Sequence, residues 1–161
     1  MPFVEEEAPA QRLDYSAAAP GGVQAIVNLQ KYVNECGLDA KIAELIKLRC
    51  SQINGCAFCV DMHARDARRV GESNQRVDAV AVWRESNLFT NTERAALAWA
   101  EAVTLVSVDH VPGEVYDWVS RYFNGKALVD LTYAIIAINC WNRLAIPFRT
   151  PTKVESKAAG R

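Results

Sequence analysis

Apolar residues recur along most of this chain at the three- and four-residue intervals of a helix face, and no stretch alternates convincingly with period two. Val23, Ile26, Val27, Leu29 and Val33 form the first stripe, after Pro20-Gly21-Gly22, and Gly37 is a natural stop. A second helix is expected over about 38–53, with Asp39 as N-cap. Its apolar Ile42, Leu45, Ile46 and Ile53 share one face, and Glu44, Leu48 and Ser51 lie opposite, the pattern of a helix sandwiched between neighbours. A third helix should run from about 56 to 70 and end at Gly71, and Ser73 can cap a short helix over 74–84. Thr90 and Glu93 have capping-box spacing before a helix reaching about Ser107. Val111-Pro112 opens another, with Pro112 at the first helical position, and Gly125 closes it. The last helix is expected over about 126–145. The reading is all-α: a compact bundle of about seven helices with short connections, as for antiparallel neighbours. Residues 1–19 lack a sustained period and read as a mobile lead, 20–147 as a single helical domain, and 148–161 as a tail.

Composition narrows the functional classes. Half of the 161 residues are hydrophobic and the formal net charge is −1, so nothing marks a nucleic-acid or anionic-membrane partner. The most apolar run, Leu131 to Trp141, falls well short of the roughly 18 residues that suggest a membrane span. Met1-Pro2-Phe3-Val4 leads into Glu5-Glu6-Glu7, acidic where a signal peptide is basic. The cysteines are Cys36, Cys50, Cys56, Cys59 and Cys140, an odd set with one CxxC pair, which points to a reducing cytoplasm.

The chemistry concentrates in Cys56-Ala57-Phe58-Cys59-Val60-Asp61-Met62-His63, directly after the helix-breaking Asn54-Gly55. On a helix starting at Cys56, that residue, Cys59 and His63 fall along one stripe. A helix N-terminus stabilises a thiolate, so Cys56 is expected to be the more accessible sulfur, with Cys59 one turn deeper. Ideal i,i+3 neighbours have Cβ atoms about 5–6 Å apart, and a disulfide wants about 3.5–4.5 Å. Bridging the pair therefore requires the first turn to tighten, and such a bond suits cycling. Terminus logic favours Cys56 as nucleophile, whereas His63, four residues after Cys59, favours Cys59 if it acts as base. The residues alone leave both open. Zinc would need His63 and Glu44 to complete a set with the two cysteines, and no second CxxC or HxxxH is present. Cys36 and Cys50 read as buried or incidental thiols, Cys140 as core, His110 as a loop residue, and the tryptophans as core. Asn142 and Arg143 end the apolar run, suited to capping buried carbonyls or pairing across a subunit interface.

The run from Glu44 to His63, with a glutamate twelve residues before the first cysteine, closely resembles the core motif of the AhpD-like alkyl hydroperoxidases of the carboxymuconolactone decarboxylase superfamily. The resemblance continues through Thr92–Glu101 and through Asn139-Cys140-Trp141-Asn142-Arg143. It implies an all-helical homo-oligomer, a trimer or hexamer, that reduces organic or hydrogen peroxide with a cycling dithiol. Cys59 would be the peroxidatic thiol, Cys56 would resolve it, and His63 with Glu44 would relay the proton. No bound metal, haem or flavin is implied; electrons would come from an external dithiol or a lipoyl- or thioredoxin-like donor. Some members carry a second histidine between the cysteines, where this chain has Phe58. The alternative is a redox-sensing or interaction protein whose Cys56–Cys59 disulfide changes assembly without turnover.

Overall fold

The computed structural model describes residues 8–154. Among them the chain is all-helical: α1 (Tyr15–Ala18), α2 (Pro20–Glu35), α3 (Ala40–Asn54), α4 (Ala57–Arg69), α5 (Asn74–Ala79), a 3₁₀ turn (Val80–Val82), α6 (Asn91–Thr104), α7 (Val106–Asp109), α8 (Gly113–Val119) and α9 (Lys126–Phe148). The caps read from sequence form. Asp39 accepts from the amides of Lys41 and Ile42, Ser73 from that of Arg76, and Thr90 and Glu93 close a reciprocal capping box.

The centre of the bundle is α3, which packs against α4, α6 and α9. Leu45, Ile46, Leu48 and Cys50 are each at most 1% exposed, so this helix is buried on two sides, as its pattern implied. One core cluster joins α3 to α6 and α9 through Ile46, Ala96, Leu131, Ile135 and Ile138 and contains both Cys56 and Cys59. A second packs Leu45, Leu48, Val77, Val80, Trp83 and Leu97.

Several expected boundaries shift. The helix expected to reach Ser107 stops at Thr104, and Val106–Asp109 forms a separate turn. Pro112 is the N-cap of α8 rather than its first residue. Gly125, expected to close that helix, instead opens α9 with φ +48. The last helix runs past Ala145 and through Pro147 to Phe148. Proline removes one helix donor there, but the end is tied externally: Arg12 donates its amide to the Phe148 carbonyl at 3.0 Å and a guanidinium N–H to the Pro147 carbonyl at 3.1 Å. Arg149 then turns into the left-handed region at φ 54, and the Thr150 amide bonds back to Ala145. Part of the segment read as a lead is thus helical and bonded to α9. Residues 1–7 and 155–161 lie outside the described residues.

Candidate active site

The cysteine motif is set by the end of α3. Gly55 adopts the left-handed conformation, φ 72, and its amide bonds back to Gln52. Asn54, just before it, is clamped by α9: its Nδ2 donates to Asn139 Oδ1 at 3.0 Å and Asn142 Oδ1 at 2.8 Å. Cys56 is therefore the N-cap of α4, with extended backbone (φ −85, ψ 96), not its first helical residue. Stepping outside the helix is what brings the pair together: the Cα atoms are 5.3 Å apart, and Cys56 and Cys59 are joined as a disulfide. The Cys59 amide donates to Cys56 Sγ at 3.3 Å. Cys56 was expected to be exposed; it is 2% exposed and Cys59 1%, and both belong to the core cluster around α3 and α9.

Across from Cys59, α3 and α4 bring Glu44 and His63 together, 19 residues apart in sequence, with His63 Nδ1 2.8 Å from Glu44 Oε2. Lys47 Nζ donates to the other carboxylate oxygen at 2.8 Å. Burial pushes the Glu44 carboxyl up, but the hydrogen bond from His63 and the charge of Lys47 outweigh it and hold the group below its ordinary 4.5. Glu44 is thus an ionised acceptor at neutral pH, and His63 Nδ1 carries the proton between them. That leaves Nε2 as the ring nitrogen not committed to Glu44. Nε2 is buried and has no hydrogen-bond partner.

Cys59, Glu44, Lys47 and His63 line one cleft of about 480 Å³, walled by Tyr15, Phe58, Met62 and Trp141. Cys56 lines a different cleft of about 470 Å³, with Ala57, Ile146, Arg149 and Thr150. Phe58 and Ala145 face both.

The carboxymuconolactone decarboxylase family pattern matches residues 20–102. The Bacillus subtilis protein YdfG is 40% identical over 137 residues, 85% of this chain and 93% of that one. The chain belongs to the carboxymuconolactone decarboxylase family. An Agrobacterium tumefaciens crystal structure, of a protein of unknown function named as a candidate antioxidant defence protein AhpD, superposes with TM-score 0.89 at 42% identity. It covers 91% of this chain and 100% of its own. The debrominase Bmp8 shares the fold at 23% identity and TM-score 0.77, over 86% of this chain and 74% of its own, so the same scaffold also carries a different activity.

In this family member, three of the expected site residues, Cys59, His63 and Glu44, share one cleft, and Cys56 joins them through its sulfur while facing the other. Glu44, His63 and Asp66 have candidate ligand atoms within 4.8 Å of one another and could hold a cation; the cysteine sulfurs, bonded to each other, stand outside that set. Two residues escaped the sequence reading. Lys47 is three residues after Glu44, an ordinary helical ion-pair spacing that signals the contact. Tyr15 reaches the cleft from the segment read as a lead, and no local signal marks it. Asn142, fully buried, bonds side chains rather than the expected carbonyls: it accepts from Asn54 and donates to Ser51 Oγ at 3.2 Å. Arg143 reaches Asn139 on its own helix. Cys50 is buried, accepts from Thr104 Oγ1, and its thiol is pushed up to about 12, chiefly by burial. Cys140, expected in the core, is only half-buried, as is Cys36. No helix among the described residues is long and apolar enough to cross a membrane.

Proposed function

We propose that the protein is a thiol-dependent peroxidase that reduces organic hydroperoxides or hydrogen peroxide through the Cys56/Cys59 dithiol–disulfide cycle. The observation that carries this reading is the buried, unpartnered Nε2 of His63, in the cleft of Cys59, with Nδ1 committed to ionised Glu44. A base held in one tautomer beside a thiol is the arrangement that activates a nucleophile. The antioxidant-defence designation of the Agrobacterium neighbour supports the same class.

His63 Nε2 takes the Cys59 proton, and the thiolate attacks a peroxide oxygen. The O–O bond breaks and the alcohol or water leaves with that proton, so Cys59 becomes a sulfenic acid. The Cys56 thiol then attacks the Cys59 sulfur, water leaves, and the disulfide forms. An external dithiol, free or on a lipoyl- or thioredoxin-like protein, returns two electrons and two protons. The scheme calls for no bound metal, haem or flavin. The outward row Val129, Tyr133 and Ile136 on α9, each at least 40% exposed, supports assembly as a homo-oligomer.

The test is peroxide consumption by reduced protein with excess dithiol, wild type against Cys59→Ser. Many turnovers, lost in the variant, support the peroxidase. A single equivalent consumed, with a change in assembled mass, supports a redox sensor instead. In Cys56→Ser, a dimedone-type probe should label Cys59; labelling of Cys56 in Cys59→Ser would reverse the roles.

A further inference from the structure

The disulfide stands between two clefts, and each of its cysteines lines one of them. Cys59 faces the cleft of Glu44 and His63; Cys56 faces the cleft closed by the chain leaving α9; Phe58 and Ala145 form the partition. The two chambers differ in chemistry. The Cys59 side holds a buried base. Among the described residues the Cys56 side is lined by no carboxylate and no imidazole, but by Arg149 and by Thr150, whose hydroxyl is buried and without a hydrogen-bond partner. Among the described residues the Arg149 guanidinium forms no ion pair. Its backbone occupies the left-handed region, φ 54, at a helix-ending position where glycine is usual. An arginine thus occupies a position that costs the backbone strain, and it lines the same chamber as Cys56.

We propose that the Cys56 cleft is the reductant's door, separate from the peroxide's, and that it admits a small dithiol bearing an anionic group, drawn in by Arg149. This rests on the dithiol-cycle reading. Both cysteines are at most 2% exposed, so a reductant must thread a cleft of about 470 Å³ to touch Cys56. A slender dithiol does so; a thiol seated on the face of a folded protein does not. One thiolate of the reductant attacks Cys56 Sγ. The Cys56–Cys59 bond breaks, and Cys59 leaves as a thiolate into the His63 cleft. The reductant's second thiol attacks its own linked sulfur, the Cys56 thiolate is released, and the reductant departs as a cyclic disulfide. Its two protons end on Cys56 and Cys59. The Cys59 amide, already donating to Cys56 Sγ, stabilises the released thiolate.

The test measures the two half-reactions separately in the full chain. Oxidised protein is reduced by dihydrolipoate or by dihydrolipoamide, one dithiol with and without a carboxylate, and thiol appearance is followed by alkylation and mass. Arg149→Glu should slow reduction by dihydrolipoate about tenfold or more and by dihydrolipoamide much less, the size expected of a steering charge. Ile146→Trp, at a 40% exposed position lining this cleft, should slow both. Met62→Trp, in the other cleft, should slow single-turnover oxidation by hydroperoxide and leave reduction unchanged. Reduction indifferent to Arg149→Glu and Ile146→Trp, reduction slowed by Met62→Trp, or faster reduction by thioredoxin than by either small dithiol would each overturn the proposal. Reduction of the disulfide needs no peroxide. A protein that fails to turn over peroxide can therefore still pass this test, and failure here leaves the peroxidase reading standing.

Discussion

Two glutamates, Glu44 and Glu101, are almost equally buried, with side chains 12% and 15% exposed, and both are held below the ordinary carboxylate value despite burial. Their partners differ. Glu101 accepts from Arg49 Nε and Trp83 Nε1 at 2.8 Å each and from Arg84 at 2.7 Å. None of those donors changes protonation near neutral pH, and together they pin α3 and the 3₁₀ turn to α6. Glu44 instead bonds a histidine whose second nitrogen has no hydrogen-bond partner and which lines the same cleft as Cys59. A perturbed carboxylate is therefore not by itself a sign of chemistry. What separates the two is whether the partner can pass a proton onward.

That contrast can be broken by measurement. The largest effect should come from His63→Gln: loss of the general base should lower the single-turnover oxidation rate by about 10²–10³-fold with little change in melting temperature. Next, Glu101→Ala leaves two arginines and an indole N–H without their acceptor. It should cost about 3 kcal/mol, the low end for a broken buried pair because Arg84 is solvent-screened. That corresponds to a melting point lower by about 6–12 °C, at unchanged rate per folded molecule. Glu44→Gln should be smaller on both counts, with oxidation slowed about tenfold as the imidazole loses its charged orienting partner. Its pH signature is specific. A lowered folded-state pKa contributes stability above the unfolded value of 4.5, lost as acid protonates the group through its lower folded pKa. The melting-point gap between wild type and Glu44→Gln should therefore close as pH falls below about 4.5. The smallest effect belongs to Thr90→Ala, about 1 kcal/mol from the lost cap, with no effect on either half-reaction.

Much of this was legible in the sequence wherever the signal was local. Asp39, Ser73 and the Thr90/Glu93 pair cap helices because their side chains reach amides two or three residues ahead, a rule that needs no tertiary knowledge. Gly125 misled because the same glycine freedom serves the end of one helix or the start of the next. The last helix runs past the expected 145, and its end is bonded to Arg12, 135 residues before Pro147, a contact with no local signal. The stripe of Cys56, Cys59 and His63 was half right. Periodicity aligned them, but Cys56 left the helix to become its cap, and that choice is made by α9 holding Asn54. The Glu44–His63 pair came from family resemblance and not from spacing, since a contact between two helices leaves no period. Tyr15 and the two-sided disulfide had no sequence signal at all.

The clamp on Asn54 has a consequence for the age of the molecule. In an Asn-Gly pair the glycine amide nitrogen, unhindered by a side chain, can attack the asparagine carboxamide, expel ammonia and leave aspartate or isoaspartate. Here the Gly55 N–H is turned back to Gln52, and the Asn54 amide group is held by Asn139 and Asn142. Both reacting groups are thus kept out of position while the chain is folded. An aspartate at that site would set a carboxylate against two carbonyl oxygens and loosen the turn that carries Cys56. The working life of the dithiol is therefore tied to the fold around it, since each excursion to the unfolded state exposes the bond on which the motif hangs.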